Sequence, residues 1–361
     1  MVTACKTLMR SSFSRRLAIT AFDSSMASVP PPPIFTRLLA ASSRAIRFTR
    51  VLRESRPDAV LLMCGNGLSF LEKAILARWA RQFGVPVLLM PRAADLMRQL
   101  RRTALTRQFG RWLFHGASLV VCQGNNWREF LLNEMRLPGD CFKIVPNWTA
   151  SPDLLALGIA RASWVQRDTV TMLFLGWLDR GKGIFDLLEA VANLAADQAL
   201  PKCRLLIAGE GTASEEARQW VTKRGLDCIE FLGWVRDDAK IRTLSAADIF
   251  VLPSWHEGLP NAMVEAMATG LPVVVTPVGA IPDTLRDGYD GVLVPIKDVA
   301  ALTAALKGLL ENPAKRALMG ARAHATAAER FGVEPGADLL VELVTQAVRD
   351  QNRKKPSTEI Q

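Results

Sequence analysis

The second half of this chain alternates between two hydrophobic periods with little else in between. Short, β-branched, continuously apolar runs stand at 169–175, 204–208, 228–232, 248–252, 272–276 and 291–295. Longer stretches with apolar residues at helical spacing separate them, at 184–196, 214–224, 237–245, 261–269 and 299–310. A strand apolar on both faces must be covered on both. A helix after each strand supplies that cover and returns the chain so that the next strand runs parallel. Stop and start signals agree: Asp298 precedes the helix at 299, and Gly270 with Pro272 ends the one that begins at Asn261. The first half repeats the pattern more weakly, with strands at 17–22, 59–64, 86–90, 118–122 and 142–145 and helices including 35–54 and 69–83. The reading is α/β: two Rossmann-like parallel-sheet domains facing across a cleft, at 1–150 and 165–331. A composition change over 146–169 reads as the linker between them. Helices follow at 312–331 and 336–349, the last expected to pack back on the first domain, before a frayed tail at 354–361. Ligands of such folds bind at the carboxyl ends of the strands.

Composition removes several classes. Hydrophobic residues are 49% and charged residues 22% of the 361, which excludes disorder as the main theme. No apolar run approaches the roughly 20 residues that span a bilayer, and no secretory leader pattern stands at Met1. The six cysteines (Cys5, Cys64, Cys122, Cys141, Cys203, Cys228) form no Cys-x-x-Cys pair, so reduced thiols and a cytoplasmic location are expected. The net charge of +10 is unevenly placed: residues 1–168 hold 24 Lys/Arg and 10 Asp/Glu, net +14, leaving the rest at −4. A basic surface therefore belongs to the first half.

The densest chemistry follows the strand at 248–252, in Pro253-Ser254-Trp255-His256-Glu257-Gly258-Leu259-Pro260-Asn261-Ala262-Met263-Val264-Glu265-Ala266-Met267-Ala268. This is a strand, a glycine turn and a helix start, where free N–H groups and the helix dipole suit an anion. Glu257 at the loop and Glu265 on the helix can grip two separate hydroxyl sites. The plainer reading of either Glu alone is a dipole-matched Glu followed by a solvated one; the flanking Gly-Leu-Pro segments weigh against it. Leu175-Gly176-Trp177-Leu178-Asp179-Arg180-Gly181-Lys182-Gly183 is a second strand-to-helix turn. Its two cations suit a diphosphate, although Lys-Gly pairs are common on surfaces.

Here the chain resembles retaining glycosyltransferase family 4, of the GT-B fold, which carries Glu-x7-Glu within Glu-Gly-Leu-Pro-Asn-Ala-Met-Val-Glu-Ala-Met-Ala. The resemblance is specific over 169–331 and looser before it. It implies that Glu257 contacts the donor sugar and Glu265 the ribose hydroxyls. It places backbone amides of Gly258, Leu259 and Asn261 on the sugar and diphosphate; Pro260 has no N–H to offer. It assigns Lys182 to the departing diphosphate. The family usually has Arg directly after Gly176, where this chain has Trp177, so Arg180 is expected to supply the missing charge. The turn Ala208-Gly209-Glu210-Gly211 matches a glycine turn beside the nucleotide, and Gly233-Trp234-Val235 matches the strand end that reads the base, which makes Gly176, Gly209 and Val235 donor-side candidates. Read without the family, these are ordinary strand-to-helix turns.

Other chemistries lack their signatures. There is no Asp-x-Asp, no P-loop, no Gly-x-Gly-x-x-Gly and no Gly-x-Ser-x-Gly. His115, His256 and His324 have no metal-ligand spacing; His115 reads as a helix-end residue and His324 as a surface one. No metal and no cofactor are expected, the nucleotide-sugar being a substrate.

In the first half, 1–11 reads as helix and 17–22 as what the family would number the second strand. The family's first strand and glycine loop have no candidate residues, so the N-terminal domain is expected to lack its first strand, from a misassigned start or a truncation. Acceptor-side candidates are Arg92, Asp95 and Asn66, each just after a strand. Arg44, Arg47, Arg50, Arg53, Arg92, Arg98, Arg101, Arg102, Arg107 and Arg111, interleaved with Leu96, Met97, Leu100, Phe109, Trp112, Leu113 and Phe114, suit an anionic membrane face. A solvated helix face fits them about equally, and nucleic acid is disfavoured for want of a binding module. The expected activity is a retaining, metal-independent glycosyltransferase of hexosyltransferase type. It would move a sugar from a nucleotide-sugar to a lipid-linked or polysaccharide-precursor acceptor in cell-surface or exopolysaccharide biosynthesis, in the cytoplasm or peripherally on the inner membrane face. The alternatives are a catalytically inactive GT-B scaffold or nucleotide-binding protein, and a nucleotide-sugar epimerase of the same fold.

Overall fold

The computed structural model describes residues 2–22, 33–65, 67–93, 95–161, 169–197 and 199–354. The chain divides into two compact units, residues 1–145 with 337–361, and residues 146–336.

The first unit opens with helices α1 (Val2–Met9), α2 (Ser12–Arg16) and α3 (Ile34–Glu54). Then come β1 (Val60–Cys64), α4 (Gly67–Gln82), β2 (Val87–Pro91), α5 (Asp95–Arg101), α6 (Ala104–Phe114), β3 (Leu119–Cys122), α7 (Asn125–Glu129) and β4 (Phe142–Ile144). Its sheet has four parallel strands in the order β1-β2-β3-β4. All five residues of β2 are buried, as a strand covered on both faces must be. The core gathers Phe70, Leu89, Phe114, Trp127 and Phe130.

One expectation fails here. Residues 17–22 form no strand. Leu17 is already extended where it ends α2, but the run pairs with no sheet edge, and it contributes Phe22, edge-to-face on Phe48 at 5.7 Å. A short apolar run has the period of a strand, but it becomes one only if backbone partners are available.

The second unit comprises α8 (Pro152–Arg161), β5 (Val170–Leu175), α9 (Ile184–Ala195), β6 (Cys203–Ala208), α10 (Ser214–Arg224), β7 (Ile229–Gly233), α11 (Asp237–Ala246), β8 (Ile249–Leu252), α12 (Asn261–Ala268), β9 (Val273–Val275), β10 (Val292–Leu293), α13 (Val299–Leu310) and α14 (Pro313–Phe331). The terminal helix α15 (Val333–Lys354) starts here, and most of it belongs to the first unit. The sheet order is β10-β9-β8-β5-β6-β7, every pair parallel. The chain lays β6 and β7 to one side of β5, then returns to lay β8, β9 and β10 on the other. The switch point is at the carboxyl ends of β5 and β8.

The segment read as a linker is largely built into this unit. Over 152–161 it is helix α8, packed on α12 and α14. Among the described residues no helix is long and apolar enough to cross a membrane.

Candidate functional site

The two loops at the switch point are the two motif segments. They are bound to each other by backbone: Trp255 N donates to Gly181 O at 2.8 Å. Gly183 has φ +69, and a Cβ there would overlap the Pro253 carbonyl, so only glycine admits this approach. Asp179 accepts a hydrogen bond from Lys182 N at 3.1 Å, closing the short turn that presents Lys182. The Lys182 ammonium then reaches Glu257 Oε1 at 2.6 Å, and Ser254 Oγ donates to the same oxygen at 2.9 Å. Both side chains of this ion pair are mostly covered, so the charges meet where water screens them little. Trp255, beside them, is fixed by Nε1 donating to Asp186 Oδ2 at 2.7 Å.

Behind Glu257, α12 begins at Asn261 with no side-chain cap from Pro260. Its first N–H groups lack the usual capping side chain, as expected where an anion is to be received. Asn147, fully buried, anchors this start. Its Nδ2 donates to Leu259 O at 2.8 Å and to Asn261 Oδ1 at 2.7 Å. Gly279, with φ +61, packs against the carbonyls of Glu257 and Gly258, and Ala280 N donates to Gly258 O at 2.7 Å. Eight residues on, Glu265 is buried, and Lys240 from α11 donates to its Oε1 at 2.7 Å. Burial pushes the Glu265 carboxyl up, and the Lys240 ammonium pulls against that shift.

The ends of β5, β6 and β7 are laced together as well. Gly176 N donates to Ala208 O at 3.0 Å and Gly209 N to Gly233 O at 2.7 Å. The residues after Gly176 and Gly233 form an exposed pair: Trp177 and Trp234 meet edge-to-face at 4.8 Å. Val235 follows, half-buried.

Thus Glu257, Lys182, Gly258, Leu259 and Asn261 share one site, with Glu265 on the same helix and Gly176, Gly209 and Val235 at the neighbouring strand ends. Arg180 is placed differently from the expectation. Its guanidinium pairs with Glu216 and lies over the Phe185 ring, and both partners of that ion pair are largely exposed. The positive charge joined to Glu257 is that of Lys182 alone among the described residues. On the acceptor side, Arg92 follows β2 and its N donates to Cys64 O at 2.8 Å; burial lowers its guanidinium to about 10, with Cys5 opposing. Asp95 opens α5. Asn66 lies outside the described residues.

The basic surface of the first unit is smaller than its arginine count implies. Arg44 is buried and grips Glu72 through two hydrogen bonds, at 2.6 and 3.0 Å. Arg101 pairs with Glu134, and Leu96, Met97, Leu100, Leu113 and Phe114 are core. Phe109, Trp112 and Leu105 of α6 are exposed, with Arg78 stacked on Trp112 at 3.9 Å. His324 is not a free surface residue either: its Nδ1 contacts Ala268 O at 2.7 Å. Cys64 and Cys122 are free thiols that burial pushes up to about 12. Among the described residues no three His, Cys, Asp or Glu side chains converge as a metal site would need.

Comparison with known proteins agrees with this geometry. The profile of the glycosyl transferases group 1 matches residues 169–312, and that of a glycosyl transferase 4-like domain matches 14–148. The chain is a glycosyltransferase, with its group 1 domain at 169–312. A lipopolysaccharide core biosynthesis glycosyltransferase of Rhizobium meliloti is 26% identical over 260 residues, 70% of this chain and 73% of that protein. A D-inositol 3-phosphate glycosyltransferase of Geodermatophilus obscurus is 37% identical over 196 residues, 52% of this chain but 42% of that protein, so less than half of that relative is matched. Among solved structures, sucrose-phosphate synthase of Thermosynechococcus elongatus superposes with a TM-score of 0.73 at 22% identity, covering 89% of this chain and 81% of that one. HepE of Anabaena, solved with UDP and glucose, gives 0.68 at 20% identity, covering 94% and 88%. These likenesses establish the GT-B fold.

Sequence reasoning gave no role to Ser254, Asp179, Lys240 or Asn147. Asp179 had a signal, an Asp three residues before Lys182 in a capping arrangement. Lys240 and Asn147 had none, since their partners stand 25 and 112 residues away.

Proposed function

We propose that this protein is a retaining, metal-independent transferase that moves a sugar from a nucleoside-diphosphate sugar to a saccharide or lipid-linked precursor of a cell-surface polysaccharide. The observation that carries the proposal is the Lys182–Glu257 ion pair at the switch point, in front of the uncapped start of α12. When the glycosidic bond to phosphate breaks, negative charge gathers on the diphosphate. The Lys182 ammonium and the N–H groups at the start of α12 are positioned to stabilise it, and preorganised charge of this kind is the largest ordinary contribution to such a step. Glu257 has one oxygen held by Lys182 and Ser254. Its other oxygen is the acceptor for a donor sugar hydroxyl. Glu265 holds the ribose diol. The leaving phosphate, on the face the acceptor approaches, takes the acceptor proton, which gives retention without a protein nucleophile.

The relative named for lipopolysaccharide core biosynthesis, and HepE with its bound UDP, support the donor class and the surface-polysaccharide setting. Arg92 and Asp95 are proposed for the acceptor. Exposed Leu105, Phe109 and Trp112 beside arginines support a peripheral contact with anionic membrane, and hence a cytoplasmic-face location.

The test is turnover of labelled UDP-, GDP- and ADP-sugars with and without a lipid-linked saccharide acceptor. Lys182→Ala and Glu265→Ala should each lower transfer at least 100-fold, and chelator should leave the wild-type rate unchanged. Normal transfer by both variants sinks the assignment. Donor binding without turnover supports the inactive scaffold, and acceptor-free conversion of the donor sugar supports the epimerase.

A further inference from the structure

α11 meets α12 at a point that no sequence motif marks. Lys240, in the first turn of α11, donates to Glu265 Oε1 at 2.7 Å, with 7% of the Glu265 side chain exposed and 21% of the lysine. The second oxygen, Oε2, takes no hydrogen bond from any described residue and is not sealed from solvent. The carboxylate is thus held by one oxygen and open at the other. The other elements packed on α12 bring no competing charge to Glu265. Arg161 from α8 is bound to the Thr269 carbonyl, His324 from α14 to the Ala268 carbonyl, and β8 and β9 present only apolar residues.

A vicinal diol offers two O–H donors. A carboxylate accepts both, whereas a carboxylic acid carries a proton of its own and loses an acceptor. A carboxyl group this enclosed drifts toward its neutral form unless a cation is beside it. We infer that Lys240 is a positioning residue for the nucleotide: its ammonium fixes Glu265 as a carboxylate with Oε1 held and Oε2 offered to the ribose diol of a nucleoside diphosphate. This rests on the proposal that the second unit binds a nucleotide-sugar. The lysine acts through Glu265 rather than on the reacting atoms. Its loss weakens binding most under mildly acidic conditions, where an unassisted Glu265 becomes protonated, and least at alkaline pH.

The experiment is calorimetric binding of UDP, GDP and ADP across about pH 5.5 to 8.5, with wild type, Lys240→Met, Lys240→Arg and the neutral pair Lys240→Met/Glu265→Gln. The 13Cδ titration of Glu265 is followed in parallel, its signal identified by its loss in Glu265→Gln. Lys240→Met should raise the Glu265 midpoint by about one pH unit or more. It should weaken the preferred diphosphate about tenfold at acidic pH, with the deficit narrowing as pH rises, and Lys240→Arg should restore both. The inference is overturned if Lys240→Met matches wild type in midpoint and binding. A deficit equal at every pH and unrepaired by arginine also overturns it, since a merely structural role predicts that result. If Lys240→Met does not fold, Lys240→Gln takes its place with the same expectations. A wild type that binds none of the three diphosphates overturns the nucleotide reading itself, whereas a wild type that binds, with Lys240→Met indistinguishable from it, overturns the role of Lys240 alone.

Discussion

Glu265 sits where burial favours the neutral form, against the pull of the Lys240 ammonium. Its folded pKa lies above its unfolded one, so the folded state binds its proton more tightly. The linked stability is therefore fully present below the unfolded carboxylate range and is lost as pH rises through the raised folded value. Glu265→Gln removes this penalty and keeps an acceptor for Lys240. The melting temperature of the variant relative to wild type should therefore shift in the variant's favour as pH rises through the raised Glu265 range, while nucleoside-diphosphate binding is lost. Calorimetric melting at several pH values checks this. Gly209 is the complementary case, constrained by shape. It has φ +146, and a Cβ there would overlap the Gly176 carbonyl. Gly209→Ala should cost at least about 3 kcal/mol in urea unfolding. Gly225, at φ +61 with open space around it, should lose only about 1 kcal/mol on the same change.

Among the elements, α8 explains why the donor motif holds its shape. Its last residue, Arg161, donates to Thr269 O at 2.6 Å, Ala247 O at 2.7 Å and Leu244 O at 2.9 Å. Those carbonyls end α12 and α11, the helices that carry Glu265 and Lys240. A guanidinium there satisfies orphan acceptors and complements both helix dipoles. At the other end of α12, Asn147 holds Leu259 and Asn261. Arg161→Ala leaves buried carbonyls unpaired and should cost about 2–4 kcal/mol; Asn147→Ala should cost about 1–3 kcal/mol and raise the donor KM more than it lowers kcat. Urea titration and steady-state kinetics separate the two effects. Composition over 146–169 read as a linker because it lacks strong period. The elements it supports were legible, nearly to the residue: helices expected at 237–245 and 261–269 are α11 and α12. The run at 17–22 misled for the converse reason, a period without a partner strand.

At the scale of the molecule, charge and sheet describe different jobs. The basic half contributes +14 and the remainder −4, yet several arginines of the basic half are spent internally, as Arg44 is on Glu72. What is left on α6 predicts salt-sensitive cosedimentation with vesicles rich in anionic lipid. Leu105→Asp with Trp112→Ser should reduce it severalfold without changing donor binding. Sequence alone determined most of the elements and their parallel arrangement, because hydrophobic period, caps and glycine turns are local properties of the chain, and the motif resemblance singled out Glu257, Glu265 and Lys182 as candidates. Tertiary structure decided which of those elements neighbour each other: the return from β7 to β8 brings Lys182 to Glu257 across 75 residues. It also decided that Arg180 turns to Glu216, that Lys240 serves Glu265 and that Arg161 closes two helices. Ion pairs and buried caps of this kind depend on distance in space and on desolvation, and neither is written in the spacing of residues along the chain.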